Sequence, residues 1–293
     1  MQVPFKQVDV FTAVPYQGNP VAVVLDARSL TTGQMQAIAS WTNLSETTFV
    51  LPPTTLEADY QLRIFTPRSE LPFGGHPTLG SVHALLEADL CRLREGKLVQ
   101  ECGVGLVTLH VQQSGDRRTI YFDLPAPAHT RLPADAQAQV HAVLGLPQDA
   151  NLSAGIVDVG PVFIVVQLPD AAQVLALTPD MPALAALSAQ RGVLGIVAFG
   201  AYLGDGPATI ESRAFFPAAG IPEDPVCGSG NGAIAAFIRH TGQTGAFGER
   251  YTSSQGSRIG RAGRLSLVLQ ADGGIQVGGQ SVTCLDGQIR LPD

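Results

Sequence analysis

Apolar and polar residues alternate over Phe5–Thr12, and the turn Gln17-Gly18-Asn19-Pro20 separates that strand from a second at Val21–Leu25. Thr31 or Thr32 can cap a helix running to about Leu44. Thr47–Leu51 and Tyr60–Thr66 have the β-branched and aromatic content of strands, and Thr78–Ala88 reads as an apolar helix. Lys97–Cys102, Gly105–Gln112 and Thr119–Leu124 are three further strand candidates. Leu124-Pro125-Ala126-Pro127-Ala128 is the best linker, which divides the chain into an N-terminal lobe, 1–124, and a C-terminal lobe, 125–293.

The second half predicts a helix over Ala134–Leu144, strands at Gly155–Val159 and Val162–Leu168, and helices at Ala171–Leu177 and Asp180–Gln190. Strands at Leu194–Gly200 and Ala208–Phe216 follow, then an alanine-rich helix from about Gly232 to His240. Short glycine-punctuated strands close the chain, among them Gly263–Gln270 and Ile275–Val277. The last strand is a candidate to pair back into the first lobe.

The halves echo one another. Asn19-Pro20-Val21-Ala22-Val23-Val24 matches Gly160-Pro161-Val162-Phe163-Ile164-Val165, and Arg63-Ile64-Phe65-Thr66-Pro67 matches Arg213-Ala214-Phe215-Phe216-Pro217. Phe73-Gly74-Gly75-His76 matches Val226-Cys227-Gly228-Ser229. The offset grows in chain order, as loop insertions would make it. A repeat this long is no solenoid unit; it is the duplication of a whole α+β lobe.

In each half a glycine turn leads into an apolar helix: Glu70-Leu71-Pro72-Phe73-Gly74-Gly75-His76-Pro77 and Glu223-Asp224-Pro225-Val226-Cys227-Gly228-Ser229. A helix N-terminus carries free N–H groups and the positive end of the helix dipole, which suits a carboxylate or phosphate. Two such turns facing one cleft would hold a small anionic substrate. Around them stand His76, Asp224, Cys227 and Ser229, with Glu46 where a helix gives way to a strand. A partly buried glutamate there suits proton transfer. Each residue also has a plain reading: Ser45-Glu46-Thr47 as a surface turn, His76 as turn filler, Asp224 as a cap, Cys227 as a small buried residue whose thiol the helix N–H groups could activate, and Asn19 as an Asx turn.

Composition narrows the classes. The chain has 293 residues, 45% hydrophobic and 15% charged, with a net charge of −7. That is a globular protein without the basic surface a phosphate-backbone partner needs, so no nucleic acid is expected. Lys6 and Asp9 interrupt any signal-like apolar core, and the longest apolar run, Val159–Leu168, is far short of a membrane span. Cys91, Cys102, Cys227 and Cys284 lack paired spacing, and a reduced, cytoplasmic protein with no metal is expected. Gly228-x-Gly230-x-x-Ala233 fails as a dinucleotide fingerprint, because Pro222-Glu223-Asp224-Pro225 precedes it and Thr252-Ser253-Ser254 stands where an acid belongs.

Four motifs in order, Gly18-Asn19-Pro20-Val21, Ser45-Glu46-Thr47-Thr48-Phe49-Val50, Glu70–Thr78 and Glu223–Ser229, resemble the PhzF-like phenazine-biosynthesis family. The resemblance implies a diaminopimelate epimerase-like α+β fold: two pseudo-symmetric lobes, each a barrel-like mixed sheet around a central helix. It implies an isomerase that shifts a proton on a small carboxylate substrate without cofactor, and a homodimer. Its catalytic residues fall on Glu46, His76 and Asp224, and its substrate-holding glycine and serine positions on Gly75, Gly228 and Ser229; Asn19, Ser45, Gly74 and Cys227 are further substrate-binding candidates in the same motifs. The related epimerases use two facing thiols. Cys227 stands where the second would be, but Gly74 occupies the first, so a symmetric two-thiol mechanism is not available. An epimerase pairing Glu46 with Cys227, and a non-catalytic binding protein on the same fold, are the competing readings.

Overall fold

The chain folds as two units in the computed structural model, which describes residues 2–115, 117–147 and 152–291. One unit is Met1–Asp123 with Gly278–Asp293, the other Leu124–Val277. The first unit contains Gln2–Val10 (β1), Asn19–Val24 (β2), Thr32–Thr42 (α1), Glu46–Leu51 (β3), Tyr60–Phe65 (β4), Glu70–Leu71 (β5), Gly75–Glu87 (α2), Lys97–Cys102 (β6), Gly105–Ser114 (β7) and Arg117–Asp123 (β8). The second contains Ala128–Arg131 (β9), Ala134–Leu144 (α3), Ser153–Asp158 (β10), Val162–Gln167 (β11), Ala171–Ala176 (α4), Met181–Arg191 (α5), Gly195–Ala201 (β12), Ile210–Phe216 (β13), Ile221–Asp224 (β14), Gly228–His240 (α6), Thr244–Phe247 (α7), Arg250–Gln255 (β15) and Gly263–Leu269 (β16). Ile275–Gly279 (β17) leads the chain back into the first unit, where Ser281–Arg290 (β18) lies antiparallel to β1.

One order of pairing occurs in both units. In the first, β1–β2 is antiparallel, β2–β3 parallel and β3–β4 antiparallel; the far side of β4 takes β5 antiparallel and β6 parallel, and β6–β7 is antiparallel. In the second, β10–β11, β11–β12, β12–β13, β13–β14, β13–β15 and β15–β16 follow the same sequence of directions. A parallel pair needs a crossover connection. Between β2 and β3 it is α1, and between β11 and β12 it is α4 with α5. Between β4 and β6 it is α2, and between β13 and β15 it is α6. The two glycine turns therefore begin the crossover helices that lie deepest in each unit.

Burial follows from that arrangement. Helix α2 packs on β1, β2, β3, β8 and β18, strands from both ends of the pairing order, so the sheet curls around it. From His76 to Leu86 all of its residues except His83 are buried. Helix α6 packs on β10, β11, β12 and β16, with Gly230 to Ile238 buried. The outer sheet faces are covered too, by α1 over Val24, Phe49 and Phe65, and by α3, α4 and α5 over Ile164, Val166, Ile196 and Phe215. Strands covered on both faces read as unbroken apolar runs, which is why Val21–Val24 and Phe163–Val166 show no alternation.

Thr31 is the N-cap of α1 in a capping box with Gln34, as its position suggested. Other boundaries move. Helix α2 starts at Gly75 and α6 at Gly228, three and four residues earlier than apolar content indicates, because glycine and serine lack a hydrophobic signal yet pack inside the first turn. Strand β15, Arg-Tyr-Thr-Ser-Ser-Gln, has no strand-like pattern in sequence; Ser253, Ser254 and Gln255 are nevertheless buried, with hydrogen bonds in place of apolar contact.

The first acid of each glycine motif is structural. Arg63 makes a two-pronged ion pair with Glu70 at 2.6 and 2.7 Å and lies over the Phe65 ring at 5.2 Å. Arg213 does the same with Glu223, at 2.8 and 2.9 Å, and with Phe215 at 4.9 Å. Charge-assisted pairs of this geometry are strong and directional. Each ties the short strand before the glycine turn back to the long strand before it, β5 to β4 and β14 to β13.

Candidate active site

In the first unit three elements converge. Asn19 and Pro20 open β2, Glu46 opens β3 one residue after Ser45, and His76 lies in the first turn of α2. The parallel register sets Val21 beside Glu46. Glu46 Oε2 stands 3.3 Å from His76 Nε2, with the two side chains 15% and 9% exposed. His76 also hydrogen-bonds the backbone of Pro20. Proline has no N–H, so its carbonyl accepts, and with Nε2 turned to Glu46 the donor is Nδ1. The ring is thereby held as the Nδ1–H tautomer. Burial lowers its pKa from 6.5 to about 3, only partly offset by the Pro20 bond, so His76 is neutral at ordinary pH.

Helix α2 is held in place by buried hydroxyls. Ser81 Oγ lies within hydrogen-bond distance of Thr48 Oγ1 of β3 at 2.9 Å and of the Pro77 carbonyl at 2.7 Å, sharing its one proton between them, and Thr48 donates to the Ala22 carbonyl of β2. The same Thr48 lies two residues after Glu46 on β3, so these bonds tie the strand that carries Glu46 to the helix that carries His76. Gly74 is the N-cap and offers no side-chain acceptor. A Cβ on Gly75 would come within 2.7 Å of the Phe122 ring, so the glycine is needed for the helix to approach β8. Pro77 supplies no N–H, which leaves the N–H groups of Gly75 and His76 as the first-turn donors.

In the second unit β14 ends at Asp224 and Cys227 is the N-cap of α6, its sulfur accepting from Gly230 N–H at 3.2 Å. Asp224 Oδ1 accepts from Val226 N–H at 3.2 Å. Burial pushes its carboxyl up to about 6, against the hydrogen bonds from Val226 and the Cys227 thiol, which pull it down. The Cys227 thiol itself is pushed well up, by burial first and the Asp224 charge second. The expectation that helix N–H groups would activate it is corrected: the Gly230 bond acts in that direction but burial outweighs it. Cys227 is a neutral thiol that accepts from Gly230 and donates to Asp224. Its backbone N–H goes to Gln255 Oε1 at 3.1 Å. With Gly230 and Cys227 N–H groups engaged, Gly228 and Ser229 are left as donors, the positions equivalent to Gly75 and His76.

Within the first unit the structure gathers Asn19, Ser45, Glu46, Gly74, Gly75 and His76; within the second it gathers Asp224, Cys227, Gly228 and Ser229. Sequence reasoning missed Gln255 and Asn231, and gave no role of its own to Thr48 within the Ser45–Val50 motif. Polar residues in strands and helices that carry no motif give no signal of their own; the only trace is that β15 ends polar just before a glycine. Among the described residues no group of three or more His, Cys, Asp or Glu side chains is arranged to hold a metal ion. No helix among them is long and apolar enough to cross a membrane.

The repeated α+β fold thus carries a buried acid and imidazole at the first glycine turn, and a buried acid and thiol at the second. The phenazine biosynthesis-like protein family (PhzC-PhzF) matches residues 8–287, and the chain belongs to that family. It is 40% identical to the antisense-enhancing sequence 1 protein of Schizosaccharomyces pombe, over 97% of both chains. It is 35% identical to the trans-2,3-dihydro-3-hydroxyanthranilate isomerase of Pseudomonas chlororaphis, over 97% of this chain and 98% of the relative. A Bacillus anthracis phenazine biosynthesis protein of the PhzF family has the same fold, with a TM-score of 0.85 at 24% identity over 99% of each chain. The chain is of the isomerase class.

Proposed function

We propose that the protein is a cofactor-independent isomerase that moves a proton between two carbons of a small carboxylate substrate. The observation that carries this reading is the Glu46–His76 pair at 3.3 Å. Glu46 takes the proton from a C–H adjacent to the substrate's unsaturated system, and the electron pair left on carbon spreads into that system. When Glu46 holds the proton, its O–H has the lone pair of His76 Nε2 as acceptor. Return of the same proton to a second carbon completes the shift, with no net oxidation and no group lost. The N–H groups of Gly75 and His76, or of Gly228 and Ser229, suit the substrate carboxylate and the charge that develops during abstraction. Asn19 and Ser45 line the Glu46 side. Asp224, protonated over part of the neutral range, orients the substrate or relays a proton.

The test is incubation with trans-2,3-dihydro-3-hydroxyanthranilate, the compound named for the Pseudomonas relative, in deuterated water, read by mass spectrometry. Isomerisation with proton transfer by Glu46 is the expected result. Should that compound and a panel of related unsaturated carboxylates show neither exchange nor isomerisation, the reading is overturned.

A further inference from the structure

The buried side chain of Gln255, the last residue of β15, reaches three groups around the second glycine turn. Its Nε2 donates to the main-chain carbonyl of Asp224 at 2.9 Å. Its Oε1 accepts from Cys227 N–H at 3.1 Å and from Asn231 Nδ2 at 2.8 Å. Asn231 Nδ2 also donates to the Cys227 carbonyl at 2.9 Å, and its Oδ1 accepts from Ser212 Oγ at 3.2 Å. One amide thus spans Pro225 and Val226, holding the residue before them by its carbonyl and the residue after them by its N–H. The chain beyond the glutamine is fitted to the same turn: Gly256 has φ +95°, and a Cβ there would lie 2.5 Å from the Pro225 carbonyl oxygen.

The first unit sets the contrast. Gln100, on β6, is also fully buried and also reaches the fourth residue of the crossover helix, donating to Thr78 Oγ1 at 3.1 Å. Its oxygen accepts from Tyr60 O–H at 3.0 Å. Those partners are side chains, so Gln100 braces the helix, whereas Gln255 grips the backbone of the turn. No other side chain among the described residues bridges Asp224 and Cys227 in this way.

We propose that Gln255 is the positioning residue of the second half-site, setting the placement of the Asp224 carboxyl and reserving the N–H groups of Gly228 and Ser229 for a ligand. The proposal rests on the assignment of Asp224 to the active site. By occupying Cys227 N–H, Gln255 removes a competing donor from the helix N-terminus. By fixing the Asp224 carbonyl, it keeps the carboxyl in its sheltered position beside Val226 N–H and the Cys227 thiol. Of the other charged groups on β13 and β14, Arg213 pairs with Glu223 at 2.8 Å and Glu211 accepts from Tyr202 and Ser257; on β16, Arg264 bonds Ser254 of β15.

The experiment is a substrate-free titration of Asp224 by carboxyl carbon NMR in the full-length protein, for the natural chain, Gln255→Met and Gln255→Asn. Methionine keeps the length without hydrogen bonds; asparagine keeps the polarity but is one methylene too short to span the turn. Both variants are expected to remain folded, with the Asp224 midpoint falling by at least about half a pH unit toward the ordinary aspartate range as the turn loosens. In assays with trans-2,3-dihydro-3-hydroxyanthranilate, kcat should fall by up to about 10²-fold, the scale of a misplaced catalytic geometry. Folded variants in which Asp224 titrates as in the natural chain overturn the proposal. So does failure of both variants to fold, which would make Gln255 a fold determinant only. The titration reads the same whether or not the isomerase reading survives.

Discussion

Glu46 Oε2 and His76 Nε2 face one another at 3.3 Å, and the ring's other nitrogen is committed to the Pro20 carbonyl. The imidazole can therefore accept from Glu46 but has no proton of its own to give in that direction. In the proposed mechanism it receives the carboxyl O–H after Glu46 has taken a proton, and keeps that carboxyl aimed.

Glu46→Gln should lower turnover by at least about 10²-fold with little change in ligand affinity, the scale of a general acid–base group. Steady-state kinetics with a ligand-binding titration would check it. Near-natural turnover in this variant would remove Glu46 from the mechanism.

Stability should depend on pH through two buried groups of opposite sign. Burial holds His76 down at about 3 against an ordinary 6.5, so its contribution is complete above pH 6.5 and is lost as pH falls toward 3. Asp224 is pushed up from 3.8 to about 6, so its contribution is complete below pH 3.8 and is lost as pH rises through 6. Relative to the natural chain, His76→Asn should therefore gain stability as pH falls across this range, and Asp224→Asn should gain as pH rises. Urea unfolding at a series of pH values would show the two slopes; equal slopes would contradict the burial of one group.

Cys227→Ser should cost little. Serine is a preferred N-cap and its hydroxyl can take both thiol contacts, accepting from Gly230 N–H and donating to Asp224. Stability within about 1 kcal/mol of the natural chain and turnover within a few-fold are expected. A sharp loss of inversion at one carbon, with proton exchange retained, would instead indicate an epimerase that uses the thiol.

Gly75→Ala should destabilise the first unit by about 1–3 kcal/mol, the usual scale of overpacking. The added methyl meets the Phe122 ring at 2.7 Å, and that ring is already wedged against Phe73 at 5.7 Å between centroids. Thermal unfolding of Gly75→Ala, Phe122→Leu and the double variant would check it. The double variant should lose less than the two single losses together.

The sequence by itself determined the order of most strands and helices, because apolar runs and caps are local: Thr31, the valines of β2 and β11, and the alanine-rich α6 each declare themselves within a few residues. It also marked candidate residues that sit in motifs, Glu46, His76 and Asp224 among them. It could not separate Glu70 and Glu223 from Asp224, since only the bond to Arg63 or Arg213 shows that the two glutamates are already committed. The tertiary structure alone decided the chemistry of Cys227 and His76. A helix N-terminus argues for a reactive thiol, and an unperturbed histidine titrates near neutrality, yet both groups are governed by burial, which depends on residues distant in the chain. Gln255 shows the same limit. Its reach across Pro225 follows from the parallel β13–β15 pairing, which sets Gln255 beside Ser212 although the turn it grips lies 31 residues earlier at Asp224.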